Sequence, residues 1–369
     1  MEITISKDKF MKGLHLIQSI VEKRNTMPVL ANALIRTSEG SIEIVATDLE
    51  VGIKETVEAK IKTEGAVTLS ARKLFEIVKE IPTDELSLKK KDNNWIEISA
   101  GKSVFNMVGI DPEDFPSFPS YEDVEFMALE ASVLKGMIEK TIIAVSGDET
   151  RYNLNGVFFE GVGDNRIRMV ATDGHRLAVA EKAVDGQKIN VSEKGHIIPR
   201  KGMQEFKKLI EEENGTVLLG FQDSRAILKV GKVVAIARLI EGEFPDYKPV
   251  IPVPGEYPVT INRVEFIKSL RRVSILSDEK TKGVKFKFSK EGLAVSTTNP
   301  GIGEAKEELD IKYEGNEVNA GFNARYVIEF LNVMEGETVT VNITDELSAA
   351  LLRDGDSDDF ISVVMPMRI

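Results

Sequence analysis

The sequence predicts an α+β protein of three tandem, similar domains, each built from antiparallel sheets and two helices. Three observations carry that expectation. The chain has 369 residues, too many for one ordinary hydrophobic core. A short strand-like string returns twice, at steps of about 125 residues marked by Thr47, Thr172 and Thr297. Within each step, apolar residues at helical spacing alternate with segments of strand-like alternation.

The repeating string is Val45-Ala46-Thr47-Asp48-Leu49-Glu50-Val51 in the first third. It returns as Val170-Ala171-Thr172-Asp173-Gly174-His175-Arg176-Leu177-Ala178-Val179-Ala180, and more weakly as Val295-Ser296-Thr297-Thr298-Asn299-Pro300. A period this long marks tandem domains rather than solenoid turns. Phe115-Pro116 and Phe244-Pro245 keep step with it. An X-Pro step favours extended or turn backbone, and the proline-rich stretches Phe115 to Pro119 and Pro245 to Pro258 read as linkers. The expected domains are therefore 1–120, 121–252 and 253–369.

Each third opens with a helical apolar face: Phe10, Leu14, Ile17 and Val21, then Leu134, Ile138, Ile142 and Val145, then Phe266, Leu270 and Val273. A second helix follows in each, marked by Leu74, Val78 and Ile81, by Met203, Phe206 and Ile210, and by Val327, Leu331 and Met334. Alternating strands run between them, among them Ser41 to Val45, Arg166 to Val170 and Thr338 to Ile343. Strand-rich thirds with two helices each give the α+β class.

Composition narrows the function. Hydrophobic residues make up 42 % and charged residues 29 % of the chain, as expected of a folded globular protein. No run of about 18 apolar residues is present, so no membrane-spanning helix is expected. Met1-Glu2-Ile3-Thr4-Ile5 alternates like a strand and lacks a secretory pattern. The absence of cysteine removes disulfides, thiolate nucleophiles and cysteine metal sites, and it fits a reducing cytoplasm.

The net charge of −12 argues at first against a phosphate-binding protein, but the distribution of charge argues otherwise. The helices carry Lys9, Lys12, Lys23 and Arg24, then Arg72, Lys73 and Lys79, then Lys135 and Lys140. Arg200, Lys201, Lys207 and Lys208 follow, then Lys268, Arg271, Arg272 and Arg325. Acidic residues crowd the expected loops and strand edges, at Asp111 to Asp114, Glu304 to Asp310 and Asp354 to Asp359. For any one helix this is an ordinary solvated face. If all six lined one surface, that surface would attract phosphates without reading base sequence.

Enzyme chemistry finds little support. Asp173 and His175 invite an acid-base reading, but their places along a strand need not give them a common partner. His15, His175 and His196 are the only histidines and form no HExxH spacing. The loop Asp354-Gly355-Asp356-Ser357-Asp358-Asp359 has Met365 where a calcium loop needs its twelfth-position glutamate, so it reads as a solvated turn. Lys201-Gly202 lacks the glycine frame of a phosphate loop. A peptide-binding repeat scaffold that never meets DNA remains an alternative, as does a nucleic-acid enzyme with dispersed carboxylates.

Five strings then give a specific resemblance: Ala171-Thr172-Asp173-Gly174-His175-Arg176-Leu177-Ala178, Pro199-Arg200-Lys201-Gly202, Phe244-Pro245-Asp246-Tyr247, Gly321-Phe322-Asn323, and Val363-Val364-Met365-Pro366-Met367-Arg368-Ile369. In this order, across residues 1 to 369, the sequence resembles the bacterial DNA polymerase III beta sliding clamps. The resemblance implies a head-to-tail homodimer forming a six-domain ring around duplex DNA, without catalysis and without a cofactor. An external ATP-driven clamp loader would open it. It implies a dimer seam of Phe105 and Met107 against Ile275 and Leu276. It implies a pocket for short peptides of polymerases, the clamp loader and repair proteins, between the second and third domains. One wall would be Leu154, Thr172, Gly174, His175, Arg176, Leu177, Pro245 and Val250. The other would be Asn323, Tyr326, Leu347, Val363, Met365, Pro366, Met367 and Arg368. Methionine adapts to varied ligands, and Arg176 and Arg368 are expected at the rim, facing a carboxylate or carbonyl. DNA contacts would involve Arg24 and Tyr152, with Lys73, Arg200 and Lys201 from the basic helices. The chain departs from the family pattern at Asn153, Pro249 and Ala349.

Overall fold

The computed structural model describes residues 1–21, 27–184, 189, 191–211 and 213–369. The first third carries β1 (Glu2–Ser6), α1 (Lys7–Ile17), β2 (Asn32–Ser38), β3 (Ser41–Thr47), β4 (Val51–Glu58), β5 (Lys60–Thr63), β6 (Ala66–Ser70), α2 (Ala71–Glu80), β7 (Glu85–Lys90), β8 (Trp95–Ala100) and β9 (Ser103–Val108). The second carries β10 (Phe126–Glu130), α3 (Ala131–Ile142), β11 (Gly156–Val162), β12 (Arg166–Thr172), β13 (Arg176–Ala183), β14 (His196–Pro199), α4 (Arg200–Ile210), β15 (Thr216–Gln222), β16 (Arg225–Val230) and β17 (Val233–Arg238). The third carries β18 (Val259–Asn262), α5 (Arg263–Val273), β19 (Gly283–Ser289), β20 (Gly292–Asn299), β21 (Gly303–Leu309), β22 (Val318–Asn323), α6 (Ala324–Val333), β23 (Thr338–Asn342), β24 (Ala350–Asp354) and β25 (Ser357–Val364). One order of elements thus occurs three times among the described residues, with β5 an additional strand in the first third. Val21 and Val145, placed on helical faces by spacing, lie beyond the ends of α1 and α3.

The chain divides into two compact units, Met1–Ser132 with Lys201–Leu239, and Val133–Arg200 with Ile240–Ile369. The units cut across the thirds because each wide sheet draws strands from two neighbouring thirds. The first unit holds the sheets β5-β1-β7-β8-β9 and β10-β15-β16-β17-β4-β3-β2-β6. The second holds β14-β11-β12-β13-β25-β24-β23-β18 and β21-β20-β19-β22. Both wide sheets are joined by antiparallel pairing between thirds, β4 with β17 and β13 with β25.

In the first unit, α1 buries Phe10, Leu14 and Ile17, one stripe at helical period. Gly13 lets this helix lie close to the sheet: a Cβ there would stand 2.8 Å from Ile44 Cδ1 and 2.6 Å from Glu55 Oε2. The α2 helix buries Leu74 and Val78. The Ser19 hydroxyl donates to Glu205 of α4 at 2.6 Å, and Glu205 also accepts from Lys208 at 2.6 Å.

In the second unit, α5 and α6 bury Phe266, Leu270 and Val273 and Val327, Phe330 and Leu331. Phe330 stacks on Phe360 of β25 at 4.6 Å between ring centroids. Asn262 caps α5, its Oδ1 accepting from the Val264 and Glu265 amides at 3.0 and 3.1 Å. Asn323 caps α6 by accepting from the Arg325 amide at 2.9 Å. Each such cap contributes about 1 kcal/mol. One expectation from the charge pattern is corrected here. Lys140 is not on a solvated basic face. It is buried on α3, donates to Glu335 at 2.6 Å and lies 5.5 Å from the Phe360 ring centre. The helix places it toward β25 rather than water.

Candidate functional site

The turn between β12 and β13 is fixed by its own side chains. Asp173 Oδ1 accepts from the His175 and Arg176 amides at 2.9 and 3.0 Å, and the Thr172 hydroxyl donates to the Arg176 carbonyl at 2.6 Å. Gly174 supplies the left-handed residue, at φ +87°. Asp173 is thus a turn carboxylate, committed to backbone and to Arg176 Nε at 3.1 Å. His175 is exposed at the turn.

The β13–β25 pairing sets the C-terminal segment against this turn. Leu177 stands opposite Val363, and both are buried in one cluster with Phe158, Val170, Val179 and Tyr247. The Met365 amide donates to the His175 carbonyl at 2.9 Å, and the Met367 amide to the Gly321 carbonyl at 2.8 Å. Those two bonds leave Met365 exposed and Pro366 and Met367 half-buried, with Arg368 exposed. Asn323 and Tyr326, at the start of α6, are half-buried.

Arg176 is the main correction to the site. It was expected at a rim, facing a ligand, but it is buried, with 9 % of its surface exposed. Its guanidinium donates to Asp173 and Glu329 and lies 4.2 Å from the centre of the Tyr326 ring. It joins the β12–β13 turn to α6, its guanidinium turned to protein partners rather than to a rim. Burial alone would raise the Glu329 carboxyl, but hydrogen bonds from Arg325 and Arg176 outweigh it and hold the group below its ordinary value. Burial, then the nearby Asp173 charge, raises Tyr326. Glu329 did not stand out in the sequence. Its one signal was the i, i+4 spacing from Arg325, with which it pairs at 2.7 Å.

The remaining residues of the two expected walls lie on loops. Leu154 is buried at the end of a short helical turn, Tyr152–Leu154, and Asn153 Nδ2 donates to the Glu243 carbonyl at 3.2 Å. Phe244 stacks on Phe158 at 4.9 Å, with the rings 7° from parallel. The buried Tyr247 hydroxyl donates to Glu160 and accepts from Arg168 Nη1 at 2.8 Å. Burial, followed by the Glu160 hydrogen bond, pushes its pKa far up. These anchors hold a loop on which Pro245 and Val250 are exposed. Leu347 is exposed on a turn whose Asp345 Oδ1 accepts from its amide at 2.8 Å.

The acidic loop read as a solvated turn uses its carboxylates on protein partners. Asp354 accepts from the Glu335 and Gly336 amides at 2.9 and 2.8 Å, and Asp359 binds Arg166 and Lys182, each at 3.0 Å.

Of the expected DNA contacts, Arg24 lies outside the described residues. Lys73 is exposed on α2 and pairs with Glu76 at 2.7 Å. Tyr152 is 60 % exposed. Arg200 is exposed at the start of α4, and Lys201 pairs with Asp48. Of the expected seam residues, Phe105 and Met107 lie on β9, an edge strand. Ile275 is 74 % exposed on the helical turn Ser274–Leu276, which follows α5. Leu276 Cδ1 would stand 3.8 Å from a Cβ on Gly303 of β21, the other edge of its own sheet.

The three thirds match, in order, family models of the DNA polymerase III beta subunit: its N-terminal domain over residues 1–119, its central domain over 128–246 and its C-terminal domain over 248–368. The chain belongs to the DNA polymerase III beta subunit family. A beta sliding clamp of Pseudomonas putida is 35 % identical over the whole of both chains. The solved beta sliding clamp of Caulobacter crescentus superposes over the whole of both chains with a TM-score of 0.95 at 33 % identity. That of Bacillus subtilis has a TM-score of 0.95 at 27 % identity, covering 100 % of this chain and 99 % of the other. Clamp proteins of this family are replication factors rather than enzymes, which agrees with the turn role of Asp173.

Proposed function

We propose that this chain is a sliding clamp: two copies close head to tail into a ring around duplex DNA and tether replication proteins through a peptide groove. The observation that carries this is a pairing rule. The strand after each repeated turn pairs with the last strand of the following third, β4 with β17 and β13 with β25. The third copy, β21, pairs with no such last strand among the described residues. It lies at a sheet edge, and so does β9, the last strand of the first third. A second copy's β9 satisfies the rule for β21, and two such contacts close by rotation. Val104 and Val108 on β9 are 55 % and 63 % exposed, an apolar edge of the kind that invites strand pairing. Phe105 and Met107 would meet Ile275 and Leu276 at that seam.

The thirds 1–120, 121–252 and 253–369 are the repeating units in this reading. Arg24, Lys73, Tyr152, Arg200 and Lys201 contact DNA phosphates without base readout. Leu154, Thr172, Gly174, His175, Leu177, Pro245, Val250, Asn323, Tyr326, Leu347, Val363, Met365, Pro366, Met367 and Arg368 form the peptide groove, with Arg176 as its internal brace. The partners are DNA polymerase III and other polymerases, the clamp loader and repair proteins, in the cytoplasm.

The test is retention on circular against linear duplex of one sequence, loaded with a clamp loader and ATP. Retention on the circle with loss from free linear ends is expected. Equal retention on both would overturn the ring and favour a peptide-binding scaffold.

A further inference from the structure

The two wide sheets carry matching rows of side chains across their strands. In the first unit the row runs Val45, Lys54, Val234 and Lys229 across β3, β4, β17 and β16. In the second it runs Val170, Val179, Ile361 and Arg353 across β12, β13, β25 and β24. Each row places a cation opposite an aliphatic residue, Lys229 opposite Val234 and Arg353 opposite Ile361. The first row lies under the chain's own linker. The Tyr121 ring stands between two ammonium groups, 4.9 Å from Lys54 Nζ and 4.7 Å from Lys229 Nζ. Val234 is the row position between those lysines, and Tyr121 packs against its cluster together with Phe118 and Phe126.

The second linker supplies no counterpart of that ring. In step with Phe115 and Phe244, Phe118 matches Tyr247 and Tyr121 matches Val250. Tyr247 is buried in the cluster of its own sheet. Val250 is not aromatic and is 47 % exposed. Beside the uncovered row opens a cavity of about 610 Å³, lined by Val179, Ile361, Tyr247 and Ile251, a size usual for ligand pockets. The charged groups at its rim are paired with one another or with neighbours: Arg168 with Glu181, Arg166 with Asp359, Asp358 with Arg353. Lys248 completes the rim. An apolar floor inside a rim of satisfied charges suits an aromatic side chain better than an ionised one.

We propose that this cavity is a docking site for an extended segment of a partner protein, which inserts one aromatic side chain. The ring lies on Val179 and Ile361 with Arg353 beside it, as Tyr121 lies by Val234 with Lys229 beside it. The chain's own Tyr121 segment is the pattern for that ligand. A second copy of this chain is not the occupant, because its Tyr121 is already held on its own first row. The cavity shares no lining residue with the proposed peptide groove, so the two sites stand or fall separately.

The experiment is fluorescence anisotropy on the full-length protein with two labelled peptides. One has the sequence Pro119-Ser120-Tyr121-Glu122-Asp123-Val124, and the other carries Tyr121→Ala. Saturable binding of the tyrosine peptide, about tenfold or more tighter than the alanine peptide, is expected. Ile361→Asp, which sets a carboxylate in the floor, should abolish that difference. If Ile361→Asp also lowers the melting temperature, Ile251→Trp decides. Its indole, added at the half-buried wall, fills the cavity and should weaken the tyrosine peptide about tenfold or more while the fold holds. Met365→Ala with Met367→Ala should leave the binding unchanged. No saturable binding, equal binding of the two peptides, binding indifferent to Ile251→Trp, or loss with the methionine pair would each overturn the proposal.

Discussion

Arg176 makes two ion pairs and a ring contact from a buried position. Truncating it would leave Asp173 without its cation and Glu329 with Arg325 alone, a change that costs up to about 3–5 kcal/mol where a pair is fully buried. Arg176→Ala is therefore expected to lower the urea midpoint by a corresponding amount, and Arg176→Lys to recover only part of it. An unchanged midpoint would place the guanidinium's contacts among those without energetic weight. Glu55 presents the opposite case. Its Oε2 is buried without a hydrogen-bond partner beside Gly13, and burial raises its pKa to about 7. The folded state then holds the proton more tightly than the unfolded chain. The stabilisation is complete below the unfolded value and is lost as pH rises through about 7. Glu55→Gln should remove that slope and raise the melting temperature at about pH 8 by roughly 2–4 °C, after discounting for the half-buried position. Thermal melts from about pH 4 to about pH 8, roughly spanning the unfolded and folded values, decide it: a wild-type slope that survives the substitution belongs to another group.

At the scale of elements, charge on a helix is a poor guide to its direction. Lys140 was counted with the basic faces, but α3 turns it onto Phe360 and Glu335. Because Glu335 is 79 % exposed and stays hydrated without its cation, Lys140→Met, of similar apolar volume, should change stability by about 1 kcal/mol or less and leave duplex binding intact. Weakened DNA binding would restore it to the DNA face. The groove gives a second prediction. Met365→Ala with Met367→Ala should abolish binding of clamp-binding peptides while the dimer persists by sedimentation, because both side chains stand beside the pinned backbone rather than in the main core. What the sequence could show at this scale was periodicity. The stripes Phe10-Leu14-Ile17 and Leu74-Val78 and the alternation of β3 and β12 place those elements correctly, because helix and strand bury one face at fixed periods. The partners across elements were not legible. Nothing in the spacing of Arg176 names Glu329, 153 positions away, and nothing in the Phe244-Pro245-Asp246-Tyr247 string names Phe158 or Glu160. Such pairings depend on which strands neighbour each other, a property of topology rather than local pattern.

For the whole molecule, the seam is where the pairing rule becomes testable. Ile275→Ala with Leu276→Ala removes apolar anchors from a surface turn, with a loss of about 2–5 kcal/mol for each one that is fully buried in the assembly. A folded monomer by analytical ultracentrifugation is expected, and a dimer as tight as the wild type would move the seam elsewhere.

The same pairing rule governs how the chain is made. Each wide sheet is completed by contacts between distant segments: Ser362 Oγ to the Leu177 carbonyl spans 185 positions, and Lys232 to Glu58 spans 174. On a ribosome, β4 and β13 are therefore synthesised long before the strands that cover them. Each nascent third carries a bare ladder edge through much of translation. A stalled or truncated chain lacking β25 would retain β13 as an adhesive border, so premature termination should yield aggregates rather than a shorter soluble protein.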